Sequence, residues 1–201
     1  MIDFLIHQFR GIQFPGKVRI TTKITPSTGI KTAKIFEWNY DLDLSDHIQR
    51  MMYMGTFERE ESSIVRRFLK PGMTFVDVGA NVGYFTAMAA SRVGAKGRVV
   101  AVEPSPVAGA HLEHVIGVNQ AKNVRLERVG LARNEGEFTL YLPDPAIGNH
   151  SPTASSASGG MPVVVTVHGA VWKSFETGMD TEGRFGTGHR LSCPYINRRN
   201  H

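Results

Sequence analysis

The chain has 201 residues, room for one medium domain or for one domain with an arm. A hydrophobic fraction of 41% places it outside the disordered class, and no run approaches the ~18 apolar residues of a membrane span. The formal net charge of +5 admits an acidic partner, but the positives are scattered along the chain, with Arg66, Arg67 and Lys70 the densest group and Arg198 and Arg199 at the tail. No basic stripe with interleaved aromatics appears, which argues against nucleic acid as a partner.

The opening M-I-D-F-L-I-H-Q-F-R lacks a basic leader and a small-residue cleavage site, so it reads as an amphipathic helix or strand and not as a signal peptide. A single cysteine, Cys193, excludes an internal disulfide and fits a reducing, cytoplasmic setting. Residues 17–40 alternate polar and apolar and contain Pro26-Ser-Thr-Gly29, which predicts a β-hairpin or short meander. Ser45 or Asp46 can cap a short helix with Ile48, Met51 and Met52 on one face. Phe57, Ile64, Val65, Phe68 and Leu69 then recur at helical spacing, and Pro71-Gly72 ends that helix.

From Thr74 the chain alternates short apolar runs with helices. T-F-V-D-V is a buried strand, Y-F-T-A-M-A-A-S-R-V a helix, and G-R-V-V-A-V-E-P a second strand. P-V-A-G-A-H-L-E-H-V-I-G-V-N is a second helix, and N-V-R-L-E-R-V-G-L-A a third strand. Such βαβ units predict a parallel sheet with right-handed crossovers, an α/β Rossmann-like domain. E-G-E-F-T-L-Y-L and M-P-V-V-V-T-V add β structure at its edge, separated by a polar small-residue loop from Pro143. The expected organisation is an N-terminal β-rich and helical arm over 1–70, a cofactor domain over 71–167, and an aperiodic, weakly structured tail over 168–201.

Open parallel sheets bind ligands at the carboxyl ends of their strands. Asp77 ends the first strand and Glu103 the second, where an acid can accept from both ribose hydroxyls. Gly79 and Gly83 stand where a side chain would block a tight turn or a close approach of the backbone. The spacing is D-x-G-x-x-x-G and not the dinucleotide pattern. A carboxylate at Asp77 also opposes a pyrophosphate and suits a cationic or zwitterionic ligand such as S-adenosylmethionine (SAM), which disfavours an NAD oxidoreductase.

V-D-V-G-A-N-V-G-Y-F-T together with V-V-A-V-E-P-S-P resembles the FkbM-type methyltransferases, a branch of the class I SAM-dependent enzymes. The resemblance extends from about Leu42 to Val167. It implies that Gly79, Ala80, Asn81 and Gly83, followed by Tyr84, form the loop under the methionine moiety. It further implies that Asp77 holds that end, that Glu103 binds the ribose, and that Pro104 and Ser105 flank the adenine. Tyr53, Gly55 and Glu58 would close over the cofactor or simply pack. Members of the family typically methylate oxygen on sugars, polyketides and related small molecules, so the implied substrate is a small-molecule hydroxyl.

In-line methyl transfer needs a held acceptor and, for a hydroxyl, a base. The resemblance leads one to expect a later strand of the type I-K-I-D-V-E-G near the acceptor, and this sequence has none. The sheet is therefore expected to be incomplete on its C-terminal side, as in a truncated or frame-shifted product, with an open apolar edge prone to self-association. No general base is assigned: His150 and His168 read as loop residues and Cys193 as incidental, and no cluster has metal-ligand spacing. Two alternatives stand beside the small-molecule methyltransferase. One is a non-catalytic remnant; the other is an RNA methyltransferase, suggested by the basic charge and a shared fold.

Overall fold

The computed structural model describes residues 14–132, 136–142 and 161–168, preceded by Ile6, Gln8, Arg10 and Ile12. The tail after His168, His150 in the polar loop and Cys193 lie outside the described residues.

The first ordered element is a helix, α1 (Lys17–Ile24), where alternation predicts a strand. The residues it buries are Lys17 and Thr21, one turn apart, while Val18 and Ile20 are exposed. The apolar positions thus misreport the buried face. The Lys17 stem buries its methylenes while its Nζ donates to the carbonyls of Arg10 (2.9 Å) and Gly55 (3.2 Å). Burial, with Arg59 and Arg10 nearby, pushes the Lys17 ammonium down to about 8.

The expected hairpin follows, set later than predicted: β1 (Ile30–Ile35) pairs antiparallel with β2 (Trp38–Asp43). Its turn is Phe36-Glu37 and not Pro26–Gly29, with both φ angles positive (50° and 71°) as a twist-matched two-residue turn requires. Trp38, Tyr40 and Leu42 alternate inward and are buried. Helix α2 (His47–Met54) starts at Asp46, whose carboxylate accepts from the Gln49 N–H at 2.8 Å.

Helix α3 (Arg59–Phe68) corrects the sequence reading in a second way. It turns Ser62, Val65 and the adjoining Leu69 inward, leaving Ile64 at 58% and Phe68 at 68% exposure. The inward face is fixed by hydrogen bonding: the Ser62 hydroxyl donates to the Glu58 carbonyl and lies within hydrogen-bond distance of the Tyr84 hydroxyl (3.1 Å).

The alternation from Thr74 folds as expected. Strands β3 (Thr74–Val78), β4 (Arg98–Val102) and β5 (Val124–Glu127) form a parallel sheet in the order β3-β4-β5, linked by helices α4 (Tyr84–Val93) and α5 (Pro106–Val118). Helix α4 lies close on the sheet because its inner face is small: Ala87 and Ala89 are fully buried. One apolar cluster runs from Ile6 and the hairpin residues Trp38, Tyr40 and Leu42 to Ala87, Val93 and Val99. The arm therefore shares its core with the cofactor domain.

Beyond β5 the chain does not extend the parallel sheet. The short β6 (Gly130–Leu131), β7 (Gly136–Leu142) and β8 (Met161–His168) make a separate sheet in the order β6-β8-β7. The expected extra strands exist, then, but as a second sheet and not as an added edge. Among the described residues both outer strands of this sheet, β3 and β5, are open edges, and Val78 on β3 is 60% exposed.

Candidate cofactor site

The five residues after β3 make a tight loop with three left-handed positions: Gly79 (φ 76°), Asn81 (φ 50°) and Gly83 (φ 86°). Asparagine tolerates this conformation, and glycine adopts it freely. A Cβ on Gly83 would also lie 2.4 Å from Leu112 Cδ1, so this glycine lets α4 approach α5. A Cβ on Gly79 would meet nothing within 4 Å, because that side of the loop faces open space. The loop hangs from β4: the N–H groups of Gly79 and Ala80 both donate to the Val102 carbonyl (2.9 and 3.1 Å).

Glu103 completes the cradle. One of its oxygens accepts from the Asn81 N–H and the other from the Ser105 N–H, each at 2.8 Å. The carboxylate is 6% exposed and ties the glycine loop to the start of α5. Each oxygen keeps further lone-pair capacity, so these bonds leave room for ligand hydroxyls. Ser105 is buried as the N-cap of α5, its hydroxyl accepting from the Ala108 N–H at 3.3 Å. Pro104 beside it is half-buried.

Asp77 is 7% exposed, and Thr86 donates its hydroxyl to one Asp77 oxygen at 2.5 Å. Burial pushes this carboxyl up to about 6; the Thr86 bonds pull it down, and the charge of Glu103 pushes it further up. Asp77 also lines a cleft of about 250 Å³ with Gly79, Ala80, Asn81 and Tyr84, and with Ile48, Phe57 and Glu58 from the arm. Of the three arm residues named in the sequence, only Glu58 reaches this cleft. Its backbone is left-handed (φ 38°), and its carboxyl is held above the ordinary range by burial and then by Glu61. Tyr53 is buried in the core, with Arg10 donating to its carbonyl, and Gly55 ends α2 against Arg10.

Two tyrosines lock the loop in place. Sequence reasoning missed Tyr40, because nothing in a hairpin's alternation says which partner its buried hydroxyl meets. That hydroxyl donates to the Gly83 carbonyl at 2.8 Å. The Tyr84 ring meets Phe36, Phe57 and Phe85 edge-on, with centroids 4.9, 4.9 and 5.3 Å away, and its hydroxyl donates to the Phe57 carbonyl at 3.2 Å. Tyr84 is thus a wall of the cleft bound to the arm. Tyr40→Phe is expected to cost about 1 kcal/mol of stability and to weaken cofactor binding several-fold by freeing the Gly83 carbonyl. Chemical denaturation and calorimetric titration with S-adenosylhomocysteine measure the two effects.

Acids ending two adjacent parallel strands, with a glycine turn between one of them and its helix, form the crevice in which an open parallel sheet holds a nucleotide-like ligand. The family model of the methyltransferase FkbM domain matches residues 77–174. A ribosomal RNA large subunit methyltransferase E from Nitrobacter winogradskyi is 51% identical over 99 residues, 46% of this chain and 41% of that protein. A protein-L-isoaspartate O-methyltransferase 1 from Arabidopsis thaliana is 31% identical over 81 residues, 40% of this chain and 32% of that protein. The chain thus spans about two fifths of the length of the first relative and about a third of the second. Among solved structures, a SAM dependent methyltransferase from Aquifex aeolicus overlaps 43% of each chain at 27% identity, with a TM-score of 0.33.

Proposed function

We propose that this chain binds SAM in the cleft above the glycine loop and transfers its methyl group to a small-molecule hydroxyl. The observation that carries the cofactor half is the conjunction of a buried carboxylate, Asp77, with a left-handed loop whose Gly79 side faces open space. The left-handed turn lets the backbone of Gly79–Asn81 lie flat under the methionine end, and Asp77 supplies the charge for its ammonium group. Glu103 accepts from the ribose hydroxyls, and Pro104 borders the adenine. When bound, SAM supplies an electrophilic methyl group on a sulfonium. The protein's part is to orient that methyl toward an acceptor and to keep water away. Ile48, Phe57 and Phe85 give the cleft its apolar wall, and Glu58 stands at its arm side as the group best placed to meet an acceptor or the cofactor's ammonium.

The small-molecule acceptor rests on the FkbM domain match. An RNA acceptor is the second reading, favoured by the 51% identity to the large-subunit RNA methyltransferase segment. The test is transfer of label from methyl-tritiated SAM to a panel of glycoside and polyketide hydroxyls, with single-stranded RNA alongside. Base-stable label in a small molecule, lost in Asp77→Asn, supports the first reading. Label in RNA alone replaces it with the second, and a folded chain that takes up no S-adenosylhomocysteine removes both.

A further inference from the structure

The positive charges that look scattered in the sequence converge in space. Between Glu61 and Asp77, between Asp77 and Glu103, and between Glu113 and Glu127 there is no acidic residue. The strands begin inside these acid-free stretches, and their entry turns are bonded together. The Gly72 N–H donates to the Val93 carbonyl (2.8 Å) and the Arg98 N–H to the Met73 carbonyl (3.1 Å). Asn123 reaches the Ala90 and Gly94 carbonyls (3.1 Å each), and the Arg92 guanidinium donates to the Leu69 carbonyl (3.2 Å).

Arg67, Lys70, Arg92, Lys96, Arg98 and Lys122 are all exposed on or beside these turns. Three helices also end here, each adding a partial negative charge of about half a unit. That offsets roughly 1.5 of six positive charges, so the pole keeps a large surplus. Phe68 stands among these cations at 68% exposure, an aromatic face that the core does not use. The cofactor cleft lies at the other end of the strands, roughly 17 Å away for five residues at strand rise.

We propose that this pole is a docking surface for single-stranded nucleic acid, with the turn cations on the phosphates and Phe68 as a stacking platform for a base. A nucleic-acid strand uses both together, and every base offers a π-face. The surface is independent of which acceptor the cleft serves, because none of its residues lines that cleft.

The test is fluorescence anisotropy of a fluorescein-labelled oligouridylate with the full chain from 50 to 200 mM salt. Six phosphate contacts predict a log–log salt slope near −4, about two orders of magnitude in affinity over that range. The triple variant Lys70→Gln, Lys96→Gln, Lys122→Gln should reduce the slope by about 2, and the corresponding Lys→Arg triple should restore it. Phe68→Ala should cost about tenfold in affinity with the slope unchanged. Salt-insensitive or absent binding by the wild-type chain overturns the proposal, as does a triple variant with the wild-type slope. Capture by phosphatidylserine vesicles without oligouridylate binding overturns it in favour of a membrane. Titration with S-adenosylhomocysteine reads the opposite pole, so failure of the cofactor site registers separately.

Discussion

Glu103→Ala is expected to unseat the glycine loop and abolish cofactor binding in one step. Both carboxylate oxygens are taken by backbone N–H groups, one from Asn81 inside the loop and one from Ser105 at the head of α5. Each is a charge-assisted bond to a buried or half-buried donor, worth about 1.5–3 kcal/mol. Alanine leaves both donors unpaired beneath a loop whose left-handed residues need outside support to stay in place. The expected loss is about 3–5 kcal/mol in chemical denaturation, together with loss of detectable S-adenosylhomocysteine binding. Glu103→Gln keeps a single carbonyl oxygen and so should recover part of the stability without the affinity. A variant as stable as wild type that still fails to bind would assign Glu103 to the ligand alone; one that binds normally would remove it from the site.

Asp77 should make both stability and cofactor affinity depend on pH, in opposite directions. Burial raises its carboxyl from the ordinary 3.8 to about 6 in the folded chain. Between those values the folded state holds a proton that the unfolded state has released. Its stabilising contribution is therefore complete below about pH 4 and lost as pH rises toward 6. The difference corresponds to about 3 kcal/mol. Asp77→Asn, a neutral isostere, should flatten this part of the profile. A cationic ligand selects the ionised form, so S-adenosylhomocysteine, through its ammonium group, should bind more tightly as pH rises through 6. Below that value the affinity should fall by up to tenfold per pH unit. Titrations at pH 5, 6 and 7.5 in buffers of different ionisation enthalpy would show proton release on binding near pH 5.5. An affinity independent of pH across that range would mean that Asp77 does not carry the ligand's charge.

Much of the cofactor domain is legible in the order of its residues. Short, largely apolar runs at Thr74–Val78 and Arg98–Val102, each followed by a helical stretch, specify βαβ units, because neighbouring parallel strands need a crossover between them. The acids at the ends of those strands and the glycines between them identify a cofactor loop, because backbone conformation and charge at a turn are local properties. The FkbM domain model matches from Asp77, the first of those acids, to residue 174.

Other features depend on contacts between residues far apart in the chain. The alternation of Lys17–Ile24 reads as a strand, but Lys17 and Thr21 face inward because carbonyls at Arg10 and Gly55 await the ammonium group. Ile64 and Phe68 read as core, yet Ser62 turns the helix by its bonds to Glu58 and Tyr84 and leaves both outside. Tyr40 is an ordinary strand residue until its hydroxyl meets Gly83, 43 positions away. The same holds for charge. Arg67, Lys70, Arg92, Lys96, Arg98 and Lys122 are isolated in sequence, and only parallel strand pairing, which brings every strand's entry turn to one end, makes them a single surface. The sequence by itself determined the strands, their terminal acids and the glycine turn, because each follows from local pattern. Tertiary structure alone decided what supports the loop and where the charge collects, because those depend on which distant backbone groups and side chains packing brings within reach.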